Sequence, residues 1–196
     1  MKKNYIMSLA FIIIYIGTFI TTPKLFADTV EISPGNTSRK DNFHLIDTTN
    51  LLSVHTWHLF SNAIHRDSFA LRLSGVSVYK GTVHFTIYNS KHELIYHENF
   101  PANGMLWGNY VELTPKQQED TIRVRLIRFF NKAAFIRPAI SITDRFDSDN
   151  GDKAIWDEIS SDKSAVGFMY SYFDEGFKAI TYSKKRWKVV EYFATD

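Results

Sequence analysis

Between Ser68 and Phe100 the chain alternates apolar and polar positions with a period of two. In "SFALRLSG", Phe69, Leu71 and Leu73 alternate with Ala70 and Arg72. In "GTVHFTIY", Val83, Phe85 and Ile87 alternate with His84, Thr86 and Tyr88, and "ELIYHENF" follows as a third segment of the kind. Side chains on a strand point to opposite faces in turn, so this pattern predicts half-buried antiparallel strands joined by polar turns. Upstream, Thr48 to Ile64 is ambiguous: Leu52, His55 and Leu59 suit a helix, whereas "LLSVHTWHLF" suits a strand.

"TPKQQED" reads as a helix start, with Thr114 as cap, Pro115 at the first helical position and Gln117 where a capping box needs it. Ile122, Leu126, Phe129, Phe130 and Ala133 then follow one helical face, although "TIRVRLIRFF" also alternates as a strand would; the cap decides for helix. "KAIWDEISS" reads as a short second helix. "AVGFMYSYF", "FKAITYS" and "WKVVEYF" read as a three-stranded meander, with Gly176 ending a three-residue turn and an even turn at Lys184-Lys185. That register places Tyr182 opposite Trp187, Ile180 opposite Val189 and Lys178 opposite Glu191. One face then carries Phe168, Tyr170, Tyr172, Ile180, Tyr182, Trp187 and Val189. Such a face is core where the short helix covers it and a sugar platform where it is bare. The expected fold class is α+β: antiparallel β-sheets in a sandwich-like arrangement, two or three helices and a C-terminal meander.

The N-terminus reads differently. A short basic start is followed by fifteen uncharged, mostly apolar residues, Ile6 to Ile20, and a cut site after Ala27. This is the layout of a secretory signal peptide, and the run is shorter than the ~20 residues of a spanning helix. Leu25 stands where a small residue is preferred, so an uncleaved anchor is the alternative. The expected organisation is a signal at 1–27, a polar lead-in at 28–42 with a short strand at Val30–Ile32, and a single α+β domain at 43–196. An exported protein, periplasmic or extracellular and bacterial, is the matching localisation.

Removing the signal changes the charge. The chain has 23 basic and 21 acidic residues, and Lys2, Lys3 and Lys24 fall in the signal, leaving 20 against 21. A net of −1 gives no reason to expect nucleic acid, or an anionic membrane once the signal is gone. The absence of cysteine excludes disulfides, thiol catalysis and cysteine-ligated zinc.

Three places invite a chemical reading. An even turn at Ser90-Lys91 sets His84 directly opposite His97, with β-carbons ~5 Å apart, where both imidazoles could reach one divalent ion. His92 lies in the turn, and the neighbouring pair Thr82 and Asn99 offers poor zinc ligands, so an exposed cross-strand pair is the plainer account. His55 and His58 form an H-x-x-H without the glutamate of a metalloprotease helix. In "DSDNGDKAIWDE", Asp147, Asp149 and Glu158 occupy positions 1, 3 and 12 of a calcium loop, but Gly151 and Asp152 reverse the order the turn requires. An acidic loop that caps the next helix is the plainer account here too.

Arg125, Arg128 and Lys132 form a basic stripe that could meet an acidic partner or phosphate, and is otherwise a solvated face. The turn "SKKRWK" is likewise either an electropositive binding tip or a soluble hairpin end that discourages edge aggregation. No G-x-S-x-G elbow, phosphate-binding glycine loop or S-x-x-K is present. The expectation is therefore a non-enzymatic binding protein, inhibitor- or immunity-like, that recognises another protein and needs no cofactor. The alternative is a metal-dependent hydrolase or calcium-binding protein built on Asp147, Asp149 and Glu158 or on His84 and His97.

Overall fold

The computed structural model describes residues 50–108, 110–172 and 176–195. The signal, the lead-in with its strand at Val30–Ile32, and Asp174-Glu175 of the first meander turn lie outside the described residues.

Two four-stranded antiparallel sheets face one another. The first is a simple meander of β1 (Asn50–His58), β2 (Asp67–Ser74), β3 (Thr82–Tyr88) and β4 (Leu94–Pro101). Helix α1 (Pro115–Ile127) follows. The second sheet is β5 (Phe135–Ile136), β6 (Gly167–Tyr170), β7 (Lys178–Ser183) and β8 (Lys188–Ala194), with helix α2 (Lys153–Ser161) inserted between β5 and β6. The ambiguous segment after Thr48 is thus a strand, and His55 and His58 point to opposite faces of it. The His58 ring stacks on Phe135 of the second sheet at 4.0 Å.

The alternating residues do what their period requires. Phe69, Leu71, Leu73, Val83, Phe85 and Ile87 are all buried on the inner face of the first sheet. Phe168, Tyr170 and Ile180 meet them from the second, with ring centroids 5.5 Å apart for Phe69–Phe168 and 5.4 Å for Phe85–Tyr170. Each of these side chains contributes about 1.5–3 kcal/mol by leaving water. The aromatic face of the C-terminal meander is therefore core, but it is covered by the first sheet and not by the short helix. Helix α2 packs on the opposite face, where Ile155, Trp156 and Ile159 join Ala179, Val190 and Tyr192 in a second apolar cluster. Close packing continues where residue 139 crosses β6: a Cβ on Gly167 would lie 2.5 Å from the Tyr192 hydroxyl, which donates to the Ala139 carbonyl at 2.9 Å.

Helix α1 begins as its cap predicts. Thr114 Oγ1 accepts from Gln117 N–H, Gln117 Oε1 accepts from Thr114 N–H at 2.9 Å, and Pro115 opens the first turn. Ile122 and Leu126 are its buried residues. The helix stops at Ile127, so Phe129 and Phe130 reach the core from the turn beyond it, and Ala133 belongs to a short 3-10 turn.

Both expected hairpin registers are displaced by two residues. Between β3 and β4 the turn has three residues, with His92 at φ 62°, and a bulge opposite Ile87–Tyr88 absorbs Ile95. A three-residue turn alone would scramble the inner face; the bulge restores the parity. Phe100 thereby sits opposite Val83 and Glu98 opposite Phe85. His84 consequently pairs with Asn99 and His97 with Thr86, so the two histidines are diagonal neighbours and do not face each other directly. Between β7 and β8 a four-residue turn pairs Ser183 with Lys188, Tyr182 with Val189 and Ile180 with Glu191. Trp187, expected on the apolar face, lies instead in the turn at φ 54° and is 81% exposed.

Candidate functional site

One inward-facing position on β4 breaks the apolar pattern. Between Tyr96 and Phe100 the chain places Glu98, opposite the fully buried Phe85. A carboxylate beside a hydrophobic core is costly unless it is fully hydrogen-bonded, and four donors meet this one. Its Oε1 accepts from the Tyr172 hydroxyl at 2.9 Å and from Lys178 Nζ at 2.5 Å. Its Oε2 accepts from the Tyr96 hydroxyl at 3.0 Å and, at short range, from the Tyr170 hydroxyl. Apart from Tyr96, these donors come from the second sheet and its flank, so the cluster ties β4 to the C-terminal meander. The Tyr96 and Tyr170 oxygens lie 2.8 Å apart, giving two phenolic protons three contacts to serve.

The electrostatics follow from this crowding. Burial pushes the Glu98 carboxyl up, but the Lys178 ammonium and the Tyr170 and Tyr172 hydroxyls outweigh it and hold Glu98 below the usual carboxylate range. Burial, together with the nearby negative charge, raises Tyr170 and Tyr96 well above a free phenol. Burial pushes the Lys178 ammonium down, yet its hydrogen bond to Glu98 more than compensates and keeps it protonated. A carboxylate with both oxygens engaged, phenols that hold their protons and an ammonium that keeps its charge favour rigidity over proton transfer.

Tyr170 also borders a groove. With Phe129, Met105 and Met169 it lines a groove of about 590 Å³ between α1 and β6, whose lining includes Trp107, Val124 and Arg128. Three arginines on or at the end of α1 behave differently around it. Arg123 reaches the Leu51 carbonyl on β1 at 3.3 Å. Arg125 lies 3.7 Å over the Trp107 ring and donates to the Met105 and Trp107 carbonyls, fixing the groove wall. Arg128 and nearby Lys132 are exposed and make no ion pair among the described residues. The basic stripe is therefore one anchored cation and two presented ones.

The other sequence candidates lie apart from the cluster and the groove. His84 has both ring nitrogens engaged, by Ser74 Oγ and Asn99 Oδ1, each at 2.8 Å. His97 sits one pair further along the same outer face. Asp147 accepts from the Asp149 backbone N–H at 3.0 Å and from the Asn150 amide at 2.8 Å. Asp152 caps α2 through the Ala154 and Ile155 N–H groups. Glu158 is one turn from the end of α2, where its carboxylate accepts from Ser183 Oγ and from Arg186 Nε. Among the described residues no group of three or more His, Asp or Glu side chains is arranged to hold a metal ion.

The Glu98 cluster escaped sequence reasoning because its members are spread from residue 96 to residue 178. Its one local signal is a charged residue at an inward strand position. No protein-family model matches the chain, and neither a curated protein nor a solved structure matches it.

Proposed function

We propose that the protein is an exported, non-enzymatic recognition module that binds an acidic, partly apolar segment of another protein in the groove between α1 and β6. The observation that carries this reading is the division of labour among the cations. Arg125 is spent on fixing Trp107, while Arg128 stands at the apolar floor without an ion pair among the described residues, and Lys132, next to the lining residue Asn131, is likewise exposed and without one. Apolar floors with a few charged groups at the mouth favour side-chain recognition, and charge at the rim guides encounter. Asp120 also lines the groove, and Lys116 offsets part of its charge through an exposed pair at 2.6 Å. The saturated hydrogen bonding of Glu98 also favours recognition over acid–base chemistry.

Affinity capture from periplasmic and culture fractions tests the reading, with the wild type beside a R128E/K132E double variant. Both positions are exposed, so the variant stays folded and loses at most about 1 kcal/mol, from reversing a charge at the C-terminus of α1. A protein retained by the wild type and lost by the variant is the expected result. Reproducible failure to retain any protein, or retention indifferent to the charge reversal, would overturn it.

A further inference from the structure

The end of the sandwich that carries the turns 59–66, 89–93 and 184–187 combines features that the groove does not use. The first two turns share that end because β1–β2 and β3–β4 are joined there in one antiparallel meander, and Asp67 at the start of β2 accepts the Ser61 N–H of the first turn. The third belongs to the same end, because β7 runs from Lys178, which meets Glu98, to Ile180 opposite Phe168, whose ring lies 5.5 Å from Phe69 near the start of β2, and so leads its following turn toward Asp67. It is also held rigidly from behind. Arg186 Nε meets Glu158 at 2.8 Å, Lys184 Nζ meets Asp162 at 2.8 Å, and the Arg186 N–H donates to Ser183 Oγ.

Directly after these residues Trp187 adopts left-handed backbone at φ 54°, an unfavourable setting for a bulky side chain, and is 81% exposed. On the first turn Ile64 is 80% exposed. Around them Lys91, Lys185 and Lys188 are exposed and without an ion pair among the described residues, and Glu93 is the one carboxylate within the three turns.

We infer that this end docks on a bilayer surface containing anionic phospholipid, with Trp187 and Ile64 entering the headgroup region and the lysines meeting phosphates. An indole with both an apolar body and an N–H suits the membrane interface, and lysine stems can lie along apolar surface while their ammonium groups reach charge. A rigid protein partner would need a separate pocket for each projecting side chain, whereas a bilayer yields to both. The near-balance of charge over the whole chain conceals this arrangement, because surface attraction acts within a Debye length and depends on the local cations.

The test uses the full chain with vesicles of phosphatidylglycerol and phosphatidylcholine in equal parts, and with vesicles of phosphatidylcholine alone. Trp187→Gly keeps the left-handed backbone and removes the side chain; K185E/K188E reverses the field. The expected result is co-sedimentation with anionic vesicles that falls about tenfold in each variant and in high salt. The emission difference between wild type and Trp187→Phe isolates Trp187, and it shifts to the blue only with anionic vesicles. Trp187 emission indifferent to the vesicles overturns the inference, whatever the N-terminal segment contributes to binding, and so does equal sedimentation of all variants where phosphatidylcholine vesicles alone bring down none of the protein. So does retention of an acidic protein by these same turns without vesicle binding.

Discussion

Two carboxylates on the first sheet are withdrawn from water and satisfied in opposite ways. Glu98 sits at the seam between the sheets, and its donors are a lysine and three phenols gathered from distant parts of the chain. Asp67 opens β2 with no exposed surface, and its donors are neutral and close: the Ser61 N–H and the Ser61 hydroxyl. The countercharge decides the outcome. Burial pushes both carboxyls up, but only Glu98 has a cation to reverse the shift, and Asp67 remains raised. Glu98 thus joins two sheets through charge, while Asp67 shapes a turn and carries an uncompensated desolvation cost at neutral pH.

The largest loss is expected at Glu98. Glu98→Ala leaves the Lys178 ammonium with the longer, half-exposed contact to Glu191 at 3.7 Å and leaves three phenols to find new acceptors, a loss of about 3 kcal/mol; it lies at the lower end for a broken buried pair because Lys178 is partly solvated and keeps that second partner. Urea denaturation measures it, and a loss below about 1 kcal/mol would show the clasp to be dispensable. Asp67→Ala removes no countercharged partner. It leaves the Ser61 N–H and hydroxyl unsatisfied, with an expected loss of about 2 kcal/mol by the same measurement. Equal losses at the two sites would mean that the countercharge contributes nothing.

The pH dependence sharpens the difference, at about 1.4 kcal/mol for each tenfold change in proton affinity on folding. The Glu98 carboxyl is lowered in the folded state, so its contribution is fully present above the unfolded pKa and is lost as pH falls through the folded one. The Asp67 carboxyl is raised, so its contribution is present below the unfolded value and is lost as pH rises through the folded one. The stability advantage of the wild type over Glu98→Gln therefore shrinks on acidification, and its advantage over Asp67→Asn grows. Urea midpoints at neutral pH and near the ordinary carboxylate range read both. Parallel trends would remove the distinction.

The same contrast of near and distant partners explains what was legible in the sequence. The inner faces of β2 and β3 follow from a period of two, and the start of α1 follows from Thr114, Pro115 and Gln117, all within four residues. Register was less legible. A bulge at Ile95 and a left-handed His92 move β4 by two residues while preserving its faces, so the apolar pattern is satisfied by either pairing. Trp187 departs from expectation for a related reason: a short even turn and a four-residue turn give the meander the same faces, and Ser183 and Glu158 select the longer one. The Glu98 cluster was not legible at all, since partners up to eighty positions apart leave no spacing to detect. Of the basic stripe, only the structure separates the anchored Arg125 from the presented Arg128 and Lys132.

The acidic loop before α2 offers the smallest predicted effect and a third way to satisfy carboxylates. Asp147 is met by the Asp149 N–H and the Asn150 amide, Asp152 by two N–H groups of α2, and Glu158 by Ser183 and Arg186. Each therefore has internal donors, as Asp67 does, and a calcium ion would have to displace them to bind. A thermal melt in EDTA and then in excess calcium or zinc should accordingly move by less than about 1 °C, since a ligand stabilises only through its preference for the folded state. A rise of several degrees, with bound metal found by elemental analysis, would instead place Asp147, Asp149 and Glu158 beside Glu98 as carboxylates that require a cation. It would also favour calcium binding over protein recognition as the principal activity.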